Sequence, residues 1–209
     1  MLLDYDEFDP AERHGQFYTI VPCDDEDCRE RVILAGVWRR VRESGRPFDR
    51  TDPNQGLRTE YHLEYMSPPP QLMKLSSKVP GVVEAGVILA AKLMWMDPSA
   101  AVNRLRASLE LLMDDLGIPQ SRSLHDRINS FAAINPYAAA ILQAVKWIGN
   151  QGSHGLQDVT VKDVLETAEL MQHALELLYD KADLFQRAQL INQAKGIPTE
   201  SADQPDSTL

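Results

Sequence analysis

The chain has 209 residues, 44% hydrophobic and 25% charged, which are the proportions of a soluble globular protein with one ordinary domain and a small appendage. Its 31 acidic residues outnumber its 21 basic ones, and the formal net charge at pH 7 is −10. Such a surface repels phosphate backbones, which excludes nonspecific DNA binding; a local basic site for RNA or a nucleotide, or a basic protein partner, stays compatible with it. The longest apolar run, Val82 to Met96, is interrupted by Glu84 and Lys92, so no membrane-spanning segment and no membrane partner is expected. The opening Met-Leu-Leu-Asp-Tyr-Asp-Glu is acidic and lacks the layout of a signal peptide, and a cytoplasmic location is the expectation.

Residues 1–67 read as a small β-rich N-terminal element. Phe17–Val21, Val32–Trp38 and Thr59–Tyr65 are short, β-branched and aromatic-rich, with turn residues between them, which predicts three antiparallel strands. Arg46 to Gly56, with two prolines, is a loop. The two cysteines, Cys23 and Cys28, are too few for a disulfide scaffold. They offer half of a tetrahedral zinc site, which His14 and His62 would have to complete; otherwise they sit in an acidic hairpin loop without metal. No other metal and no cofactor is called for by any motif. Ser67-Pro-Pro-Pro70 is a stiff extended connection.

Residues 68–196 turn helical. Pro80 opens a helix to about Met96, and Asp97-Pro98 caps and starts the next. That helix carries Val102, Leu105, Leu109, Leu112, Met113 and Leu116 on one face and stops at Gly117. Ser123 starts a short helix with Ile128 and Phe131 inward. Asn135-Pro136 starts another with Ile141, Leu142, Val145 and Ile148 inward. Thr160 and Asp163 form a capping signature for a last, long helix. Along it, Val164, Ala168, Met171, Leu175, Leu178, Ala182 and Phe185 form one apolar stripe, and Leu170, Leu177, Leu184 and Ile191 a second. One neighbour cannot cover both stripes. Either a second copy of the chain covers one of them, making a homodimer, or the helix is buried between two neighbours of its own bundle. Residues 197–209 read as a disordered tail. The whole is a mainly α protein: a bundle of about five helices with a small antiparallel β element in front.

The segment Lys146-Trp-Ile-Gly-Asn-Gln-Gly-Ser-His154 carries the candidate chemistry. Lys146, Asn150 and His154 are spaced i, i+4, i+8 and share a helix face. An imidazole beside a cation suits metal-independent phosphodiester cleavage, the imidazole moving protons and the cation stabilising developing charge. Gly149, Gly152 and Gly155 each weaken a helix by about 1 kcal/mol against alanine, which makes sense where a backbone or ligand comes close. The alternative is a helix end in which Asn150 caps and His154 satisfies carbonyls. Arg106 and Glu110, at i, i+4 on the second helix, form a surface ion pair or reach the glycine-rich segment across the bundle. His125 and His173 fall on helix faces without ligand partners and read as structural. No phosphate-binding glycine loop, dinucleotide fingerprint, zinc-protease motif or nucleophile elbow is present.

Arg106-Ala-Ser-Leu-Glu110, then Gly149-Asn150-x-x-x-His154, then a long helix through Leu-Leu-Tyr179, resembles the domain-of-unknown-function 4145 (DUF4145) family over roughly residues 68–185. Cys23 and Cys28 resemble a widened remnant of the paired-cysteine element that often precedes that domain. The family looks like a branch of the HEPN (higher eukaryotes and prokaryotes nucleotide-binding) superfamily. The resemblance implies a HEPN-like helical bundle, a homodimer, and a setting in bacterial or phage defence, with a protein partner or RNA. Active HEPN domains are ribonucleases with an arginine, a polar residue and a histidine. Asn150 and His154 match that pattern, but the arginine position falls on Gly149 and the nearest upstream cation is Lys146. A non-catalytic interaction domain is therefore the leading expectation. A ribonuclease using Lys146, Asn150 and His154, and a nucleotide or small-ligand sensor whose groove includes Arg106, Glu110 and Gly149, are the alternatives.

Overall fold

The computed structural model describes residues 13–24, 27–43, 52, 54–154 and 158–195, with the side chains of 152–154, 182, 183, 186 and 194 excepted. Three strands come first: β1 (His14–Pro22), β2 (Arg31–Arg42) and β3 (Leu57–Ser67), antiparallel in the order β1-β2-β3. A bulge at Ala35/Gly36 shifts the β2–β3 register. Phe17 and Tyr61 meet edge to face across β2, 5.3 Å between centroids, and Arg39 pairs with the directly opposite Glu60 at 3.0 Å. Gly36 is the one buried residue of the sheet among those described, while Tyr18, Ile20, Tyr61 and Tyr65 are exposed, so the three strands enclose no core of their own.

The core belongs to the helices: α1 (Gly81–Leu93), α2 (Pro98–Asp115), α3 (Leu124–Ala132), α4 (Pro136–His154), α5 (Val161–Leu175) and α6 (Ala182–Ala194). The caps read from the sequence form as hydrogen bonds. Asp97 accepts from Ala100 N–H, Ser123 from Asp126 N–H, and Thr160 with Asp163 makes the full reciprocal box. At the end of α2, Gly117 adopts φ +68°, with Gly117 N–H bonded to Asp114 O and Ile118 N–H to Met113 O; this double closure needs the left-handed residue that glycine supplies.

α2 is the central helix, in contact with α1, α3, α4 and α5. Its stripe of Val102, Leu105, Leu109, Leu112 and Met113 is completely buried, against Val83 and Ala90 of α1, Leu142 and Val145 of α4, and Val164, Ala168 and Met171 of α5. One polar anchor sits in this core. Arg127 of α3 is 1% exposed; its Nη2 donates to Asp114 Oδ1 and to Ile118 O, both at 2.7 Å, and its Nη1 donates to Glu110 O at 3.2 Å. It ties α3 to the C-terminal end of α2.

The long last helix expected from the sequence is interrupted. After Leu175 the chain makes a π-helical turn, Glu176–Asp180, before α6. The wider turn rotates α6 relative to α5, since each residue of helix carries about 100°. Tyr179 swings onto α2, where its hydroxyl donates to Asp115 Oδ2 at 2.6 Å. The apolar stripe that buries Val164, Ala168, Met171 and Leu175 still packs Leu178 against the core but does not continue inward to Phe185, which is 57% exposed. No helix among the described residues is long and apolar enough to cross a membrane. The expected tail, 197–209, lies outside the described residues.

Candidate functional site

α4 runs as helix through Gly149 and Gly152 to His154, so the spacing of Lys146, Asn150 and His154 is retained along its backbone. The His154 side chain lies outside the described residues. The other two members of the row turn toward the bundle, because Leu142, Val145 and Gly149 on the neighbouring face of α4 are buried against α2.

At Gly149, α2 and α4 approach each other closely. A methyl group added there would overlap Cβ of Arg106 and crowd its Cγ and Cδ. The arginine side chain therefore lies across the glycine, and its Nε donates to Asn150 Oδ1 at 2.9 Å. This settles the two readings of Arg106 and Glu110. Arg106 reaches across the bundle to the glycine-rich segment, and no surface ion pair joins it to Glu110. Glu110 turns instead to Arg127, with 3.4 Å between Oε2 and Nη1. The buried guanidinium, already held by two carbonyls and Asp114, is the stronger attractor.

Lys146 is 4% exposed, an unusual place for an ammonium group. Its Nζ lies 3.3 Å from the centroid of the Trp147 ring and 3.3 Å from His125 Nδ1. Burial pushes its pKa below the ordinary lysine value, and the nearby Arg106 charge pushes the same way. No carboxylate among the described residues pairs with Lys146 or Arg106.

His125, which the sequence offered as a structural residue without ligand partners, is the side chain that spacing could not find. It lies on α3, 21 residues before Lys146, and the α3–α4 contact brings them together. Its Nδ1 is also 3.1 Å from Gln143 Oε1, and its Nε2 is 3.1 Å from Asn129 Nδ2, which closes a small polar network with Gln143. Nδ1 serves one partner at a time: protonated it donates to Gln143, and bare it accepts from Lys146. His173 makes an exposed contact with Glu176, 3.5 Å from Nδ1 to Oε2, consistent with a structural role.

The cysteines are elsewhere. Cys23 and Cys28 sit at the β1–β2 hairpin. His14 opens β1 at its far end, and His62 lies level with Val37 and Gln16, six residues along β1 from Pro22. At about 3.4 Å per strand residue, both are roughly 20 Å or more from the cysteines, and neither can complete a tetrahedral site with them. No cluster of three or more His, Cys, Asp or Glu suited to a metal occurs among the described residues.

A helical bundle centred on one buried helix, preceded by a three-stranded antiparallel sheet, with a cation-lined contact between its second and fourth helices, is the class these features define. The family described as a domain of unknown function (DUF4145) matches residues 89–199, just over half of the chain, and the chain belongs to it. The match begins inside α1 and takes in Arg106, Glu110, Lys146, Gly149, Asn150 and His154. No curated protein and no solved structure matches the chain.

Proposed function

We propose that the protein is a HEPN-like, non-catalytic and dimeric interaction domain of a bacterial or phage conflict system. The observation that supports it most is the seal at Gly149. The position of the HEPN arginine has no room for a β-carbon, and the adjoining Asn150 is occupied in holding Arg106. A row used to close two helices on each other is poorly placed to receive a phosphodiester. The conflict-system setting and the protein or RNA partner rest on the family resemblance.

Dimerisation has a separate support. Beyond its root at the π turn, α6 leaves Leu184, Phe185 and Leu190 more than half exposed. Phe185 and Leu177 also edge a groove of about 650 Å³ lined by Pro136, Tyr137, Ala140 and Ile141. A 13-residue helix is marginal in water by itself, so this one needs a cover, and the same patch on a second copy would supply it.

The test is purified protein incubated with mixed RNA in EDTA, with light scattering on the same sample. Intact RNA and a dimeric mass are expected. Cleavage that disappears in His154→Ala would overturn the non-catalytic reading, and a monomeric mass at micromolar concentration would overturn the dimer. One observation favours the metal-independent ribonuclease as second reading: Arg106 brings to Asn150 the guanidinium that position 149 lacks.

A further inference from the structure

Two cations stand about one helical turn apart along α4, Arg106 bonded to Asn150 and Lys146 four residues before that asparagine, with few acceptors. Lys146 carries three N–H groups, and its one acceptor among the described residues, His125 Nδ1, is contested by Gln143. Arg106 spends Nε on Asn150, while its two terminal NH2 groups bond to nothing among the described residues. Lys146 is almost completely withdrawn from water, while Arg106 is half-buried and its terminal NH2 groups reach solvent. The acid at helical spacing from Arg106, Glu110, is committed to Arg127. The chain has ten excess negative charges to draw on, yet it holds these two cations close enough to disfavour one another. Burying unpaired charge is costly, and a methionine would fill the same volume as the lysine without that cost. An anion would compensate both charges.

We propose that Arg106, Lys146 and His125 form a receptor for a terminal phosphate group. Two cations match the charge of a phosphate monoester better than that of a carboxylate. The free end of the guanidinium offers the fork that grips two phosphate oxygens, and the ammonium serves as a point charge. The phosphate is an end group because Lys146 is roofed by Trp147 and His125. Both of these are themselves exposed, so the ammonium lies just beneath the surface. A group at the end of a molecule can be inserted there, whereas a diester within a continuous strand cannot. Once an oxygen takes over Nζ, the His125 ring is released to act as a further donor. This inference goes beyond the interaction-domain reading and does not depend on the dimer.

Isothermal titration at constant ionic strength tests it, using inorganic phosphate, AMP against adenosine, and a short RNA with a 5′-phosphate against the same RNA with a 5′-hydroxyl. Phosphate-bearing probes are expected to bind and their phosphate-free counterparts not, the strongest probe identifying the source. Lys146→Met and Arg106→Gln each weaken binding by about ten-fold or more, the usual consequence of losing a charged hydrogen bond, and Lys146→Arg retains it. Lys146→Met keeps the buried stem, so it decides the matter if Arg106→Gln does not fold. Adenosine binding as well as AMP, binding that survives Lys146→Met, or no heat from any phosphate-bearing probe overturns the proposal. Light scattering on the same samples reports the dimer independently.

Discussion

Arg106 of α2 lies across Gly149 of α4 and donates from Nε to Asn150 Oδ1 at 2.9 Å. The contact needs both partners. The glycine removes the atom that would keep the helices apart, and the asparagine gives the arginine a fixed place. Gly149→Ala tests this. Alanine improves the helix by about 1 kcal/mol by propensity alone, while overfilling a packed contact costs about 1–3 kcal/mol. A net loss of up to about 2 kcal/mol in urea unfolding is expected. A gain equal to the propensity difference would mean that the helices do not close here.

Lys146→Met is expected to leave stability unchanged to within about 1 kcal/mol, or to raise it, because a poorly compensated buried charge is replaced by an apolar group of similar length. The sign comes from the lowered pKa. At pH 7 the lysine is charged in the unfolded chain, and folding then carries the cost of burying that charge. As pH rises through the depressed folded value toward the ordinary 10.5, the folded state gives up its proton first, so wild-type stability rises with pH across that window. The methionine variant should lack this rise. Unfolding curves from pH 7 to 10.5 on both proteins measure it, and parallel pH profiles would refute it.

Arg127→Met should cost about 3 kcal/mol, since it removes a buried guanidinium that satisfies two carbonyls and binds Asp114 and Glu110. The midpoint of denaturant unfolding is the readout. A loss under about 1 kcal/mol would show that water replaces those bonds and that α3 is not anchored there.

The helices were legible from residues whose effects are local. Asp97-Pro98, Ser123 and Thr160 with Asp163 announce helix starts through bonds no more than three residues away, and the apolar spacing of Leu105, Leu109 and Leu112 marks the buried face. What the sequence hid depends on distant partners. The four-and-three spacing runs unbroken from Val164 to Phe185, yet the helix is interrupted where Tyr179 bonds Asp115, 64 residues earlier. Spacing proposed Glu110 as the partner of Arg106, but the competition was decided by Arg127, which has no helical relation to either. Asn150 and Lys146 could be named from their row. His125 could not, because its place beside Lys146 exists only once α3 packs on α4.

Leu184→Asp with Phe185→Asp should convert a dimer to a monomer while the bundle keeps its stability. Both side chains are more than half exposed and support nothing in the core, so the charges act only on what covers α6. Light scattering gives the mass, and unfolding under dilute conditions gives the stability. A dimer that survives the double substitution would place the interface elsewhere.

Tyr179→Phe tests the π turn through its alkaline behaviour. Burial, and then the Asp115 carboxylate beside it, raise the phenol well above its ordinary pKa of 10.0. In the unfolded chain the phenol ionises near 10, while in the folded protein it stays protonated. The folded state therefore holds more protons above pH 10, and stability falls as pH climbs, by up to about 1.4 kcal/mol per unit from this one group. Below pH 9 the phenylalanine variant should be less stable by about 1 kcal/mol, the loss of one hydrogen bond. Above pH 10 the difference should shrink and then reverse, because phenylalanine has no proton to lose. If the two proteins lose stability in parallel between pH 9.5 and 11, Tyr179 ionises as freely in the folded state as in the unfolded one, and its bond to Asp115 does not hold the π turn on α2.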